Sequence, residues 1–254
     1  MTRAVIFDLD GTLYDSAGLH RRVALKELSR LALIRLLKER RTRKSLAGKD
    51  FGNSAAFEKA FYARVPKRWY LGSYLPDMAD VLRRHFHPRE GLEELLRALR
   101  AAGLRTAVFS DYGFVREKLD ALGIDATLFD GIYDAASLGG LKPCRESFRK
   151  VADSLGVRPE EALMVGDRTD TDGRGALDSG MRFIHISHAP ASPDDGMPHL
   201  GWGEFINHIN HIKTQLTDRY ETTHHPPLSR DTVRDDGSRG PERPDHSDSA
   251  GSTL

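Results

Sequence analysis

The 254-residue sequence holds a single cysteine, Cys144. That excludes an intramolecular disulfide, and the expected setting is a reducing cytoplasm. Long apolar runs are missing too: no stretch approaches the roughly 18 consecutive apolar residues of a membrane span. The opening residues carry one cation, Arg3, and pass straight into a short apolar run, without the longer apolar region and cleavage site of a secretory signal. The expectation is a soluble, cytoplasmic protein. Net charge is nearly absent, with 38 Lys and Arg against 37 Asp and Glu, but the balance is uneven. Residues 15–87 hold 17 Lys/Arg and 7 Asp/Glu, a net of +10; residues 1–14 carry −1, which leaves −8 for 88–254. A basic segment beside a carboxylate-rich one reads either as an anionic ligand held between them or as a solvated Arg-rich surface.

What is present begins with an apolar run over 3–7, followed by Asp8-Leu9-Asp10-Gly11-Thr12. Two carboxylates at the end of a buried parallel strand face the crevice where open α/β sheets bind ligands. One can act as nucleophile and the other as proton donor, although acidic pairs also occur in turns and Ca²⁺ loops. Helical spacing follows: Leu19, Val23, Leu28, Leu31 and Leu36 recur every three to five residues among arginines. A basic break is expected from Arg40 to Lys49, then helices over 54–64 and 76–86 with Trp69, Tyr70 and Tyr74 between them. No strand-like alternation occurs over 15–87, so this segment reads as an all-helical insertion.

From Pro88 the pattern alternates. Helices are expected over 90–102, 114–122, 146–155 and 174–179, and strands over 104–110, 128–133, 162–165 and 183–186, with a terminal helix over 203–216. Repeated strand, helix and glycine stop implies right-handed βαβ units and a parallel sheet. Residues beyond 217 are rich in Pro, Gly, Ser and charge and read as a disordered tail.

Three more polar sites fall at strand ends. Ser110-Asp111 offers a hydroxyl and free backbone N–H groups ahead of a helix, a cradle for phosphate oxygens or simply an N-cap. Lys142 follows Gly139-Gly140-Leu141 and precedes Pro143, where it can reach into a crevice. Asp167 follows an apolar strand and Gly166, with Asp170 and Asp172 close behind. Carboxylates converging there would repel one another, and a hard cation such as Mg²⁺ removes that difficulty while leaving room for a phosphate.

In order, these motifs are Asp8-x-Asp10-Gly11-Thr12, Ser110-Asp111, Lys142-Pro143, and Gly166-Asp167 followed by Asp172, Gly175 and Ala176. As a set they resemble the haloacid dehalogenase-like hydrolase superfamily, specifically its phosphatases with an inserted helical cap, over roughly 3–187. The resemblance implies an α/β fold with a Rossmann-like parallel sheet of order 5-4-1-2-3. It implies a catalytic core over 1–14 and 88–217, a helical C1 cap over 15–87, and a tail over 218–254. Asp8 would attack phosphorus and form an aspartyl-phosphate. Asp10 would protonate the leaving oxygen and then activate water. Mg²⁺ would be bound by Asp8, Asp167 and the backbone carbonyl of Asp10, with Asp172 direct or through water. Thr12, Ser110 and the amide of Asp111 would hold phosphoryl oxygens, with Lys142 balancing charge.

Asp10 also separates subclasses, since dehalogenases of the superfamily lack it: a halide leaving group needs no proton. Two departures stand out, Cys144 where Asp or Asn usually follows Lys-Pro, and an extra glycine at Gly173. The expected substrate is a small phosphorylated metabolite, drawn in by the basic cap, with nucleic acid unlikely as a partner. Arg21, Arg22 and Lys67-Arg68-Trp69-Tyr70 are candidates for contacting it. The alternatives are a phosphomutase with the same aspartates, or a non-catalytic protein that binds anions through the basic helix over 28–44.

Overall fold

A computed structural model of the chain describes residues 1–26, 30–187 and 196–209. Strand β1 (Ala4–Phe7) is buried along its whole length, and both its edges are paired with parallel neighbours. These are β2 (Arg105–Ser110) on one edge and β4 (Ala162–Gly166) on the other. Beyond them lie β3 (Gly131–Asp134), next to β2, and β5 (Arg182–Ile186) and β6 (His199–Leu200), next to β4. All pairings are parallel, in the order β3-β2-β1-β4-β5-β6. Read from the β6 edge, this is the expected 5-4-1-2-3 order with one more strand outside it. The added strand has two residues, too few to leave a periodic signal. It is held by His185 N donating to Pro198 O at 2.8 Å and Ser187 N to Leu200 O at 3.0 Å. The third strand starts later than its apolar run does, because Ala126–Leu128 form a 3₁₀ turn capped by the Asp125 side chain.

Between β1 and β2 the chain forms α1 (Leu19–Lys26), α2 (Arg30–Leu46), α3 (Ser54–Tyr62), α4 (Lys67–Trp69), α5 (Leu75–His85) and α6 (Leu92–Ala101). A π-turn over Tyr70–Tyr74 joins α4 to α5 without a break, so the aromatic cluster is helical rather than a connection. It is also the core of this segment. Phe61 packs edge-on against Tyr70 at 5.1 Å, and Trp69 stacks on Tyr74 at 5.2 Å. Further along come α7 (Val115–Ala121), α8 (Ala135–Leu138), α9 (Arg145–Ser154) and α10 (Arg174–Ser179). Phe148 of α9 meets Phe109 of β2 edge-on at 5.1 Å, fastening a helix to the sheet. Residues 202–209 are helical and bring Phe205 against Phe7. The rest of the expected terminal helix and the expected tail over 218–254 lie outside the described residues. Among the described residues no helix is long and apolar enough to cross a membrane.

Helix α2 corrects two expectations. The basic break placed at Arg40 is helical up to Leu46, and Leu31, expected on the inward stripe, is 54% exposed. The inward side instead carries Ala32, Glu39, Thr42 and Leu46. A polar inward face survives because each group is satisfied. Thr42 Oγ1 donates to Lys38 O at 2.7 Å, and Arg43 donates to Glu39. Arg43 also donates to Asp111 O at 2.9 Å and to the Tyr70 hydroxyl, and lies 3.8 Å from the Tyr112 ring centroid. Replacing Arg43 by Met leaves the Glu39 carboxylate buried and unpaired. The expected cost is about 3 kcal/mol, read from urea unfolding.

Past α2, the loop that leads into α3 is sewn to the segment ahead of Lys142. Gly48 N donates to Leu141 O at 3.1 Å, and Phe51 N to Gly139 O at 2.9 Å. The approach is close enough that a Cβ at Gly140 would sit 2.7 Å from Lys49 O, so only glycine fits there.

Candidate active site

Three adjacent central strands end in the polar groups singled out above. Asp8 follows β1, and its backbone N donates to Val165 O at 2.8 Å, continuing the sheet one residue further. Ser110 is the last residue of β2, and Asp167 follows Gly166 at the end of β4. The strands are parallel, so all these groups emerge on one edge of the sheet.

Lys142 is the hub. Its Nζ lies 2.6 Å from Asp8 Oδ1 and 2.7 Å from Asp172 Oδ1, with 1% of its side chain exposed. Its backbone N donates to Asp111 Oδ1 at 2.9 Å, so Asp111 seats the lysine loop through its carboxylate. Thr12 Oγ1 is 3.5 Å from Asp8 Oδ2. Ser110 Oγ accepts from Tyr112 N at 3.1 Å and donates to Asp10 Oδ2 at 3.3 Å. Asp167 Oδ1 is buried with no hydrogen-bond partner. Asp8, Asp167 and Asp172 each bring an oxygen within 4.8 Å of the others, so together they can hold a metal ion. Asp170 does not join them: it is exposed and held by Arg168.

One lysine does not balance three carboxylates, of which Asp8 and Asp172 are buried and Asp167 is half-buried. Burial is the largest influence on Asp8 and pushes it up to about 7, with Lys142 opposing and Asp172 and Asp10 adding to it. Asp167 is likewise raised to about 7, by burial and then by Asp8. Asp172 goes up to about 6 through burial despite Lys142. Burial also lowers Lys142, but the two carboxylates outweigh it and hold the amine firmly charged. Asp10 behaves differently. Burial would raise it too, but Lys118 and Tyr14 prevail and keep it below the usual carboxylate value.

Several groups around this cluster carry no signal in the motifs. Lys118 on α7 bonds both oxygens of Asp10, and the Tyr14 hydroxyl donates to Asp10 Oδ1 at 2.5 Å. The spacing of Val115, Lys118, Leu119 and Leu122 puts a lysine in an otherwise apolar helix row, which is the one hint available. Arg89 donates to Thr12 O at 2.8 Å and Gly11 O at 3.0 Å, bracing the loop after β1. His185 of β5 has Nε2 2.8 Å from Asp167 O and Nδ1 2.6 Å from His199 Nδ1. With Nε2–H donating to that carbonyl, Nδ1 is left to accept from His199.

Gly11 has φ +102, and a Cβ there would lie 2.0 Å from Asp167 Oδ2. Gly11→Ala is therefore expected to cost at least about 2 kcal/mol, measured by thermal unfolding.

Beside Asp111 lies a cleft of about 230 Å³, lined among others by Arg43, Phe57, Phe61, Tyr62, Tyr70 and Phe114. Of the residues expected to contact a substrate, Tyr70 lines this cleft and Trp69 is buried. Lys67 is paired with Glu58, and Arg21 and Arg22 are exposed.

The family described as haloacid dehalogenase-like hydrolase matches residues 2–180. A glyceraldehyde 3-phosphate phosphatase of Methanopyrus kandleri is 31% identical over 197 residues, covering 73% of this chain and 84% of that protein. A phosphoglycolate phosphatase of Rhodospirillum rubrum is 32% identical over 202 residues, covering 74% of this chain and 80% of that protein. Among solved structures, a HAD phosphatase from Thermococcus onnurineus superposes with a TM-score of 0.60 at 22% identity. It covers 84% of this chain and 97% of its own.

Proposed function

Because the chain belongs to the haloacid dehalogenase-like hydrolase family, we propose that it is a Mg²⁺-dependent phosphatase acting on a small phosphate monoester through an aspartyl-phosphate on Asp8. The observation that carries this reading is the division between the two leading carboxylates. Asp8 sits in the three-carboxylate cluster with Lys142, whereas Asp10 stands apart with donors of its own. A nucleophile and an acid/base need such unequal surroundings.

Asp8, Asp167 and Asp172, with the backbone carbonyl of Asp10, would hold the ion, and the unpartnered Asp167 Oδ1 fits that role. The cation when bound offsets carboxylate charge and draws electron density from phosphoryl oxygen. Asp8 attacks phosphorus as the bond to the leaving oxygen breaks, and Asp10 gives that oxygen a proton. Asp10 then takes a proton from water as water displaces Asp8 from phosphorus. Thr12, Ser110 and the amide of Asp111 hold the phosphoryl oxygens, and Lys142 balances their charge.

Helices α1–α5, over 15–87, act as the cap, with the cleft beside Asp111 as the space for the organic part of the substrate. A small phosphorylated metabolite suits that cleft, and the named relatives act on glyceraldehyde 3-phosphate and phosphoglycolate. The reducing cytoplasm remains the proposed setting, consistent with one buried cysteine. The test is release of inorganic phosphate from a panel of such metabolites, with and without Mg²⁺. Metal-dependent release in step with substrate loss is expected. No release from any substrate would overturn the reading, and return of the phosphoryl group to a second hydroxyl without free phosphate would point to a mutase.

A further inference from the structure

Lys118 is fully buried, and α7 places it in a row with the apolar Val115 and Leu119. An ammonium taken out of water needs a close counter-charge to remain there. Its Nζ lies 2.8 Å from Asp10 Oδ1 and 2.6 Å from Oδ2, and 4.9 Å from the Tyr112 ring centroid. Asp10 is the only carboxylate it pairs with among the described residues. Tyr14 and Ser110 add donors to the same two oxygens. The carboxylate of Asp10 is thus gripped from the loop after β1, the end of β2, and α7. The two buried lysines divide the site: Lys142 takes Asp8 and Asp172, while Lys118 takes Asp10.

We propose that Lys118 is a positioning residue for Asp10, fixing the orientation of its carboxylate and holding the charge left there once its proton has passed to the leaving oxygen. This rests on the reading of Asp10 as the acid and base. In the first step the phosphorus–oxygen bond to the leaving group breaks as the bond to Asp8 forms. The proton enters with the substrate's phosphate monoanion, passes by way of Asp10 to the leaving oxygen, and leaves the Asp10 carboxylate paired with Lys118. A cation fixed in a water-free place stabilises that charge without reorganisation during the reaction. In the second step the same carboxylate accepts the proton from water. A lysine that only fills the core would instead affect every substrate alike.

The test varies the leaving group. A p-nitrophenolate departs without a proton, whereas an alkoxide needs one. Rapid-quench measurement of the first turnover, in the Mg²⁺-loaded full chain, isolates the step in which the leaving group departs. Lys118→Met is expected to slow that step about 100-fold with an alkyl phosphate and less than about fivefold with p-nitrophenyl phosphate, with KM little changed. Lys118→Gln, which keeps a donor without the charge, is expected to fall between, and it serves as the readout if the Met variant does not fold by near-UV circular dichroism. In an Asp10→Asn background, Lys118→Met is expected to add no further leaving-group dependence. Equal losses with both substrates, or no loss with either, overturn the proposal while wild-type turnover keeps the phosphatase reading intact. Absence of Asp8-dependent turnover in the wild type overturns the phosphatase reading itself, and this proposal with it.

Discussion

Asp8→Asn is expected to remove turnover almost completely, by at least about 10⁴-fold, with the fold unchanged. The amide occupies the space of the carboxylate but has no anionic oxygen with which to attack phosphorus. Lys142 keeps its 2.7 Å contact with Asp172, so the lysine is not stranded. Relieving one of three crowded carboxylates is expected to leave stability equal or improved. The measurement is steady-state phosphate release by both forms at saturating Mg²⁺, with thermal melts as the control. Acid-quenched wild-type enzyme is further expected to carry substrate phosphate as an acyl phosphate labile to hydroxylamine, and the variant to carry none. Turnover by the variant near the wild-type rate would remove Asp8 as nucleophile.

Removing metal is expected to abolish activity and to give the protein a pH-dependent stability that runs opposite to ordinary acid unfolding. In the folded metal-free chain, Asp8 and Asp167 are raised to about 7 and Asp172 to about 6, from an ordinary 3.8. Between these limits the folded state holds protons that the unfolded chain has released. The contribution of these groups to stability is therefore full below about pH 4 and is lost as pH rises to about 7. Asp10, lowered rather than raised, acts only below that window. A divalent cation takes the place of the missing protons, so its benefit is expected to grow with pH. At 100 times its dissociation constant a ligand adds about 2.7 kcal/mol. At about 2–4 °C per kcal/mol for a chain of this size, Tm is expected to rise by roughly 5–10 °C at pH 8. The rise at pH 5 should be distinctly smaller. Scanning fluorimetry with EDTA or Mg²⁺ across that range measures both. A shift that is absent, or larger at pH 5, would remove these carboxylates as the metal site.

The groups legible in the sequence share a local context. Asp8, Ser110 and Asp167 each end an apolar strand, and Lys142 follows a glycine pair, so short-range pattern and chemistry coincide. The structure brings those residues together with Thr12, Asp111 and Asp172. The groups that could not be read depend on distant partners. Arg89 reaches Thr12 across 77 positions, Lys118 reaches Asp10 across 108, and His185 reaches the backbone of Asp167 from a neighbouring strand. Nothing near any of them in sequence announces the partner. For the fold, a parallel sheet followed from alternation and glycine stops and its strand order from the family resemblance, whereas α2 was misread where apolar periodicity failed. Its inward face carries Glu39 and Thr42 between Ala32 and Leu46, and Arg43, which pairs with Glu39, is itself held by Tyr70 and Asp111 on other elements.

The backbone stitches from Gly48 and Phe51 to Leu141 and Gly139 bear on how this protein could be re-engineered. Transplanting the helical segment of a relative would replace residues whose amides hold the strip immediately ahead of Lys142. A chimera joined at positions 14 and 88 is expected to carry a changed lining in the cleft beside Asp111 and, unintentionally, a displaced amine at the hub of the carboxylates. Keeping the native 47–53 loop in any such graft separates the two consequences.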